Sequence, residues 1–150
     1  MAASVISLGL RLVLAAAFLY AGSVKVWDFH GGQWATPKFF EDILNYHLLP
    51  WDAAAVLAVY LPWLEIAAAL GLFWRRRRAG ALLILGLLLV VFSGAMASAW
   101  WRGLDISCGC FGHEVEKGDW GIPLGRDLVL LAAVLAVAWL ERKTPKPSNP

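Results

Sequence analysis

Charge is scarce in this chain. Lysine, arginine, aspartate and glutamate make up 16% of its 150 residues while 60% are apolar, against about 25% charged and about 45–50% apolar in soluble domains. That balance excludes an ordinary water-soluble domain, and the apolar excess excludes disorder as well. The excess of basic over acidic groups is only +2, too weak a field for nucleic acid. Two cysteines cannot build a disulfide-dense secreted scaffold. There is no internal repeat and no glycine-rich nucleotide motif, and the length leaves room for one domain, 1–150.

What the chain does have is long apolar runs. A bilayer core about 30 Å thick needs roughly 20 apolar residues in a helix, and segments 5–26, 51–74, 79–101 and 122–140 meet that requirement. The expected fold class is therefore all-α, an integral membrane four-helix bundle. Arg75, Arg76, Arg77 and Arg78 fill the turn between the second and third spans, and the positive-inside rule assigns such a cluster to the cytoplasm. Both termini then lie inside, and Arg142, Lys143 and Lys146 in the tail 141–150 agree. The opposite face carries Asp28, Glu41, Asp42, Asp52, Asp105, Glu114, Glu116 and Asp119 against Lys25, Lys38, Arg102 and Lys117. Trp27, Trp51, Trp74, Trp100, Trp101, Trp120 and Trp139 fall at span ends, where indole rings prefer the headgroup level. The first span is read as retained rather than as a cleaved signal, because Arg11 lies inside the apolar run instead of ahead of it.

Two segments lie outside the spans. In the first, Thr36 reads as a helix N-cap with Pro37 at the first helical position. Phe40, Ile43, Leu44 and His47 then share one face of a short amphipathic helix on the outer membrane surface, ending at Pro50. The second segment holds Cys108-Gly109-Cys110. A bridge across three residues removes little chain entropy and closes only at strain, which eases reduction. The pair reads as redox chemistry in an oxidising bacterial periplasm. Two other readings stay open: a pair of plain reduced thiols, or a soft copper or zinc site of Cys108, Cys110 and His113, for which a fourth ligand is lacking.

Ionisable groups inside the spans are costly and mark pairs or sites. Arg11 and Glu65 lie within about 3 Å of one another in depth by helix rise, so an Arg11–Glu65 ion pair is expected within the bundle. Arg126 and Asp127 open the fourth span on the cysteine side. A guanidinium there can stabilise a thiolate or donate to a quinone carbonyl, or it can simply pair with Asp105 or Asp127. His30 and His47 read as ordinary loop residues.

Several short signatures resemble the MauE branch of the MauE/DoxX membrane proteins. They are Ala21-Gly22 with Lys25 and Asp28, Tyr46-His47-Leu48-Leu49-Pro50, Pro62 with Glu65, Cys108-Gly109-Cys110-Phe111-Gly112, and Arg126-Asp127. The resemblance implies a DoxX-like four-helix bundle involved in redox maturation of exported proteins, working with a thioredoxin-like or exported thiol partner, within or beside a redox-enzyme complex. The architecture is also similar to that of DsbB and vitamin K epoxide reductase, which pass electrons from thiols to quinone through additional cysteines. The function expected is thiol–disulfide exchange at Cys108 and Cys110, supported by Arg126, Asp127, Asp105 and His113, with a quinone near Arg126 and no metal. The alternatives are a copper-handling module and a non-catalytic membrane anchor for a redox enzyme.

Overall fold

The computed structural model describes residues 2–28, 32–104 and 121–143. The chain folds into α1 (Ala2–Val26), a two-residue hairpin of β1 (Trp27–Asp28) and β2 (Gln33–Trp34), α2 (Thr36–Asn45), α3 (Trp51–Gly71), α4 (Arg78–Trp101) and α5 (Gly121–Lys143). Four of these helices, α1, α3, α4 and α5, are long and apolar enough to cross a membrane. Only about a third of each apolar stretch is buried against the rest of the protein. The remainder turns outward side chains such as Val13, Leu83, Val91, Leu87 and Val129, each more than half exposed, as a lipid-facing surface requires.

The four spans form a ring, α1 against α3, α3 against α4, α4 against α5, and α5 back against α1. Lipid tails are as apolar as leucine, so close packing rather than water exclusion must hold such helices together, and small residues allow it. Ala15, Ala21, Ala54, Ala58, Ala68, Ala69, Ala81 and Ala99 are all buried. Among the described glycines the tightest approach is at Gly22 of α1, where a Cβ atom would lie 2.7 Å from Ile66 Cγ1 and 2.9 Å from the Pro62 carbonyl oxygen of α3. Leu14, Phe18, Leu72, Leu85, Leu89 and Val137 fill the interior toward the end that carries the arginines.

Helix boundaries differ from the sequence expectation by one to three residues at several ends, α1 for instance beginning at Ala2 rather than 5. α3 stops at Gly71 rather than 74, because Leu72, Phe73 and Trp74 turn with short-range backbone bonds and Arg78 Nε donates to the Leu72 carbonyl at 3.0 Å. α5 continues to Lys143, past 140, which shortens the tail. Trp51, Trp74, Trp100, Trp101 and Trp139 are exposed at span ends as expected. Trp27 instead joins the hairpin, paired with Trp34 in register and packed edge-on against it at 5.4 Å. Trp120 lies outside the described residues.

The short amphipathic helix is present with different ends. Its N-cap is Ala35, with no side-chain cap, and Thr36 is already helical. It ends at Asn45, not Pro50, since His47 takes φ +50° and breaks the helical run. Phe39 is its buried residue and lies over Lys25, so α2 packs on the end of the bundle. Phe40 packs edge-on against Trp51 at 5.4 Å, joining α2 to the start of α3. Arg102, just past α4, donates to the Tyr46 carbonyl and ties the end of α4 to the end of α2.

Candidate functional site

Pro62 sits inside α3, where a residue without an N–H loosens the backbone ladder. Gly22 lets α1 pack directly on this stretch, and that contact fixes the register of the two helices. Lys25, one turn beyond Gly22, therefore reaches the carboxylate of Glu65, one turn below Pro62. Both side chains are buried, at 1% and 0% exposure, and Lys25 Nζ donates to Glu65 Oε1. The ammonium also lies over two aromatic rings, Phe39 of α2 at 5.2 Å and Phe92 of α4 at 4.9 Å, a geometry that offsets part of its lost hydration.

The expected Arg11–Glu65 pair is not formed. Arg11 instead lies 3.9 Å from Glu141, which Arg78 also contacts at 3.0 Å, so these three charges close the arginine end of the bundle. Depth measured from the midpoint of each apolar run holds only if the spans are level. The Gly22–Pro62 contact offsets them, placing Glu65 near the opposite end of α1 from Arg11. Between Arg11 and Lys25 the helix rises about 21 Å.

Asp127 of α5 lies at the level of Lys25, with its side chain 3% exposed, and takes hydrogen bonds at Oδ1 from Arg126 Nε at 3.3 Å and Nη2 at 3.1 Å. The Arg126–Asp127 pairing anticipated from the sequence as one option is thus present, with Arg126 about one-third exposed at the rim. Lys25, Glu65 and Asp127 line one small cavity with Phe18, Ala21, Leu89, Phe92 and Leu130. Its volume of about 10 Å³ is near the threshold for a single water and far below a quinone ring. Glu65 Oε2 is buried and accepts no hydrogen bond from any described residue.

Cys108, Cys110, Asp105 and His113 lie outside the described residues, as does His30. The first four belong to the segment joining α4 to α5, and His30 lies between β1 and β2. His47 is exposed at the end of α2. No cluster of three or more metal-ligating side chains occurs among the described residues. Sequence reasoning passed over Lys25 as Glu65's partner, since Lys25 counts as an outer charge when depth is read from the span edge. The signal available was the small residue at 22 facing a proline-containing helix, which announces close contact and hence register.

A family model described as methylamine utilisation protein MauE matches residues 3–140. The chain is 33% identical over 130 residues to the methylamine utilization protein MauE of Paracoccus denitrificans, covering 86% of this chain and 66% of that protein. It is 35% identical over 104 residues to the protein of the same name from Methylorubrum extorquens, covering 69% and 56% respectively. A third, from Methylophilus methylotrophus, is 38% identical over 74 residues. The chain thus spans about two thirds or less of the length of these relatives. No solved structure matches it. Matched through all four spanning helices, from α1 to α5, the chain belongs to the MauE family.

Proposed function

We propose that this protein is a membrane accessory factor of methylamine utilisation that exchanges disulfides with exported protein thiols through Cys108 and Cys110. The observation that carries this reading is the placement of its intramembrane charges. Lys25, Glu65, Asp127 and Arg126 gather at the end of the bundle where α4 leads into the cysteine segment and α5 leaves it. An apolar scaffold serving only as an anchor has no need of four charges within its spans, each of them costly in lipid. In the sequence Cys108 follows Leu104, the last described residue after α4, by four positions.

In the exchange, a thiolate of the partner attacks the Cys108–Cys110 disulfide and forms a mixed disulfide. The partner's second thiol then displaces the remaining cysteine, leaving the partner oxidised and Cys108 and Cys110 both reduced. A membrane quinone, when bound, accepts the two electrons and two protons that restore the disulfide. The interior cavity does not fit its ring, so Arg126, at the partly exposed flank of α5, is the residue that would hold a quinone carbonyl.

The test is reduction of a quinone analogue by a dithiol partner in proteoliposomes. Wild-type protein is expected to support turnover, and Cys108→Ser or Cys110→Ser to abolish it. Arg126→Gln should slow it about 10–100-fold, equivalent to roughly 1.4–2.7 kcal/mol of transition-state stabilisation. Unchanged turnover in both serine variants rejects the thiol reading, and stoichiometric copper lost in those variants would favour the metal-handling alternative.

A further inference from the structure

The cavity between Asp127 and Glu65 joins two carboxylates that come from different helices, α5 and α3, and neither needs the other for its own ion pair. Lys25 occupies one oxygen of Glu65, and Arg126 holds Oδ1 of Asp127. The second oxygen of Glu65, a residue that lines the same cavity, is buried and takes no hydrogen bond from a described residue. A buried carboxylate oxygen is ordinarily satisfied by a donor, and the space fits one water. The rest of the lining is apolar, Leu89 and Phe92 from α4, Leu130 from α5 and Phe18 and Ala21 from α1, while Phe39 of α2 lies over the Lys25 ammonium beside it. The titratable groups lining it are therefore Glu65, Asp127 and Lys25, with Arg126 bonded to Asp127 from the rim.

We propose that one water donates to Glu65 Oε2 and bridges to Asp127, and that Glu65–water–Asp127 is a proton-storing site within the bundle, open only to the cysteine-bearing end. A proton arriving at the rim binds the Asp127 carboxylate. It passes to the water as that water gives one of its own protons to Glu65, and it leaves by the reverse steps, so no oxidant or reductant is involved. The site does not continue across the membrane. Below it lie Leu14, Leu72, Leu85 and Val137, each 2% exposed or less, over most of the rise that separates Lys25 from Arg11. This inference is independent of the thiol reading, since no cysteine forms part of the site, and it identifies where a proton released by chemistry at that end can be held.

The experiment is infrared spectroscopy of the full chain in liposomes, titrated in H₂O and D₂O. The expected result is a protonated-carboxyl C=O band that shifts in D₂O, disappears in Glu65→Gln and changes frequency in Asp127→Asn. Liposomes holding the wild-type protein should be as tight to protons as protein-free ones. Should Glu65→Gln fail to fold, isotope labelling of glutamate carboxyls in the wild-type chain assigns the same band without a substitution. Absence of any such band at every pH where the protein stays folded overturns the storage site. A proton leak that depends on Glu65 overturns its one-sidedness, because it would mean conduction.

Discussion

Gly22 has no side chain, yet it determines more of the site than any charged residue does. A Cβ at this position would meet both the Ile66 side chain and the Pro62 carbonyl, and the carbonyl, being backbone, cannot turn aside. Gly22→Ala should therefore cost about 1–3 kcal/mol, as overpacking does elsewhere, with Ile66→Ala restoring only part of the loss. Gly94→Ala, where nothing lies within 4 Å, should leave the thermal midpoint in detergent unchanged or slightly higher. The buried pair calls for a double-mutant cycle. Lys25→Met or Glu65→Leu alone strands a charge among apolar groups and should cost about 3–5 kcal/mol, whereas the double variant should recover most of it. Additive losses in the cycle would show that the two side chains do not act on one another. Arg11→Ala, by contrast, removes a long contact to a partly exposed carboxylate that Arg78 still holds at 3.0 Å, and should cost less than breaking the Lys25–Glu65 pair.

Among the elements, the spanning helices were legible because twenty apolar residues in a row have few other uses, and their ends moved by only a few residues. The Arg126–Asp127 contact was legible because neighbours in one helix need no tertiary register to meet. The partner of Glu65 was not legible from depth alone. Hydrophobic runs give the length of a helix but not its vertical offset, which comes from the Gly22–Pro62 contact, a feature of shape. The same limit applies to α2. Its amphipathic pattern identified a helix, but not that Phe39 would turn in over Lys25 while His47 terminated the run. His47 provides the test at this scale. With φ at +50°, it holds a backbone region in which β-branched residues are strained. His47→Gly should preserve or raise stability, and His47→Val should lower it by about 1–3 kcal/mol, with the loss read in thermal denaturation and in faster proteolysis between α2 and α3.

For the molecule as a whole, the charges divide the bundle into two unlike ends. One end carries Arg75 to Arg78, with Arg11 and Arg78 both drawn to Glu141. The other carries a neutral set of two cations and two carboxylates, covered by α2 and adjoining the cysteine segment. Arginines near short turns are retained on the cytoplasmic side, so thiol exchange with exported proteins requires the cysteines to face away from them. A reagent that cannot cross the membrane should then label Cys108 and Cys110 on intact right-side-out cells after reduction. In a cysteine-free background, Arg76→Cys should react only once the membrane is opened. The reverse pattern would put the cysteines in a reducing compartment, where a disulfide exchanged with exported thiols has no access to its substrate. The four-helix fold would survive that result, because packing of the spans does not depend on which way the bundle points, but the proposed exchange would not.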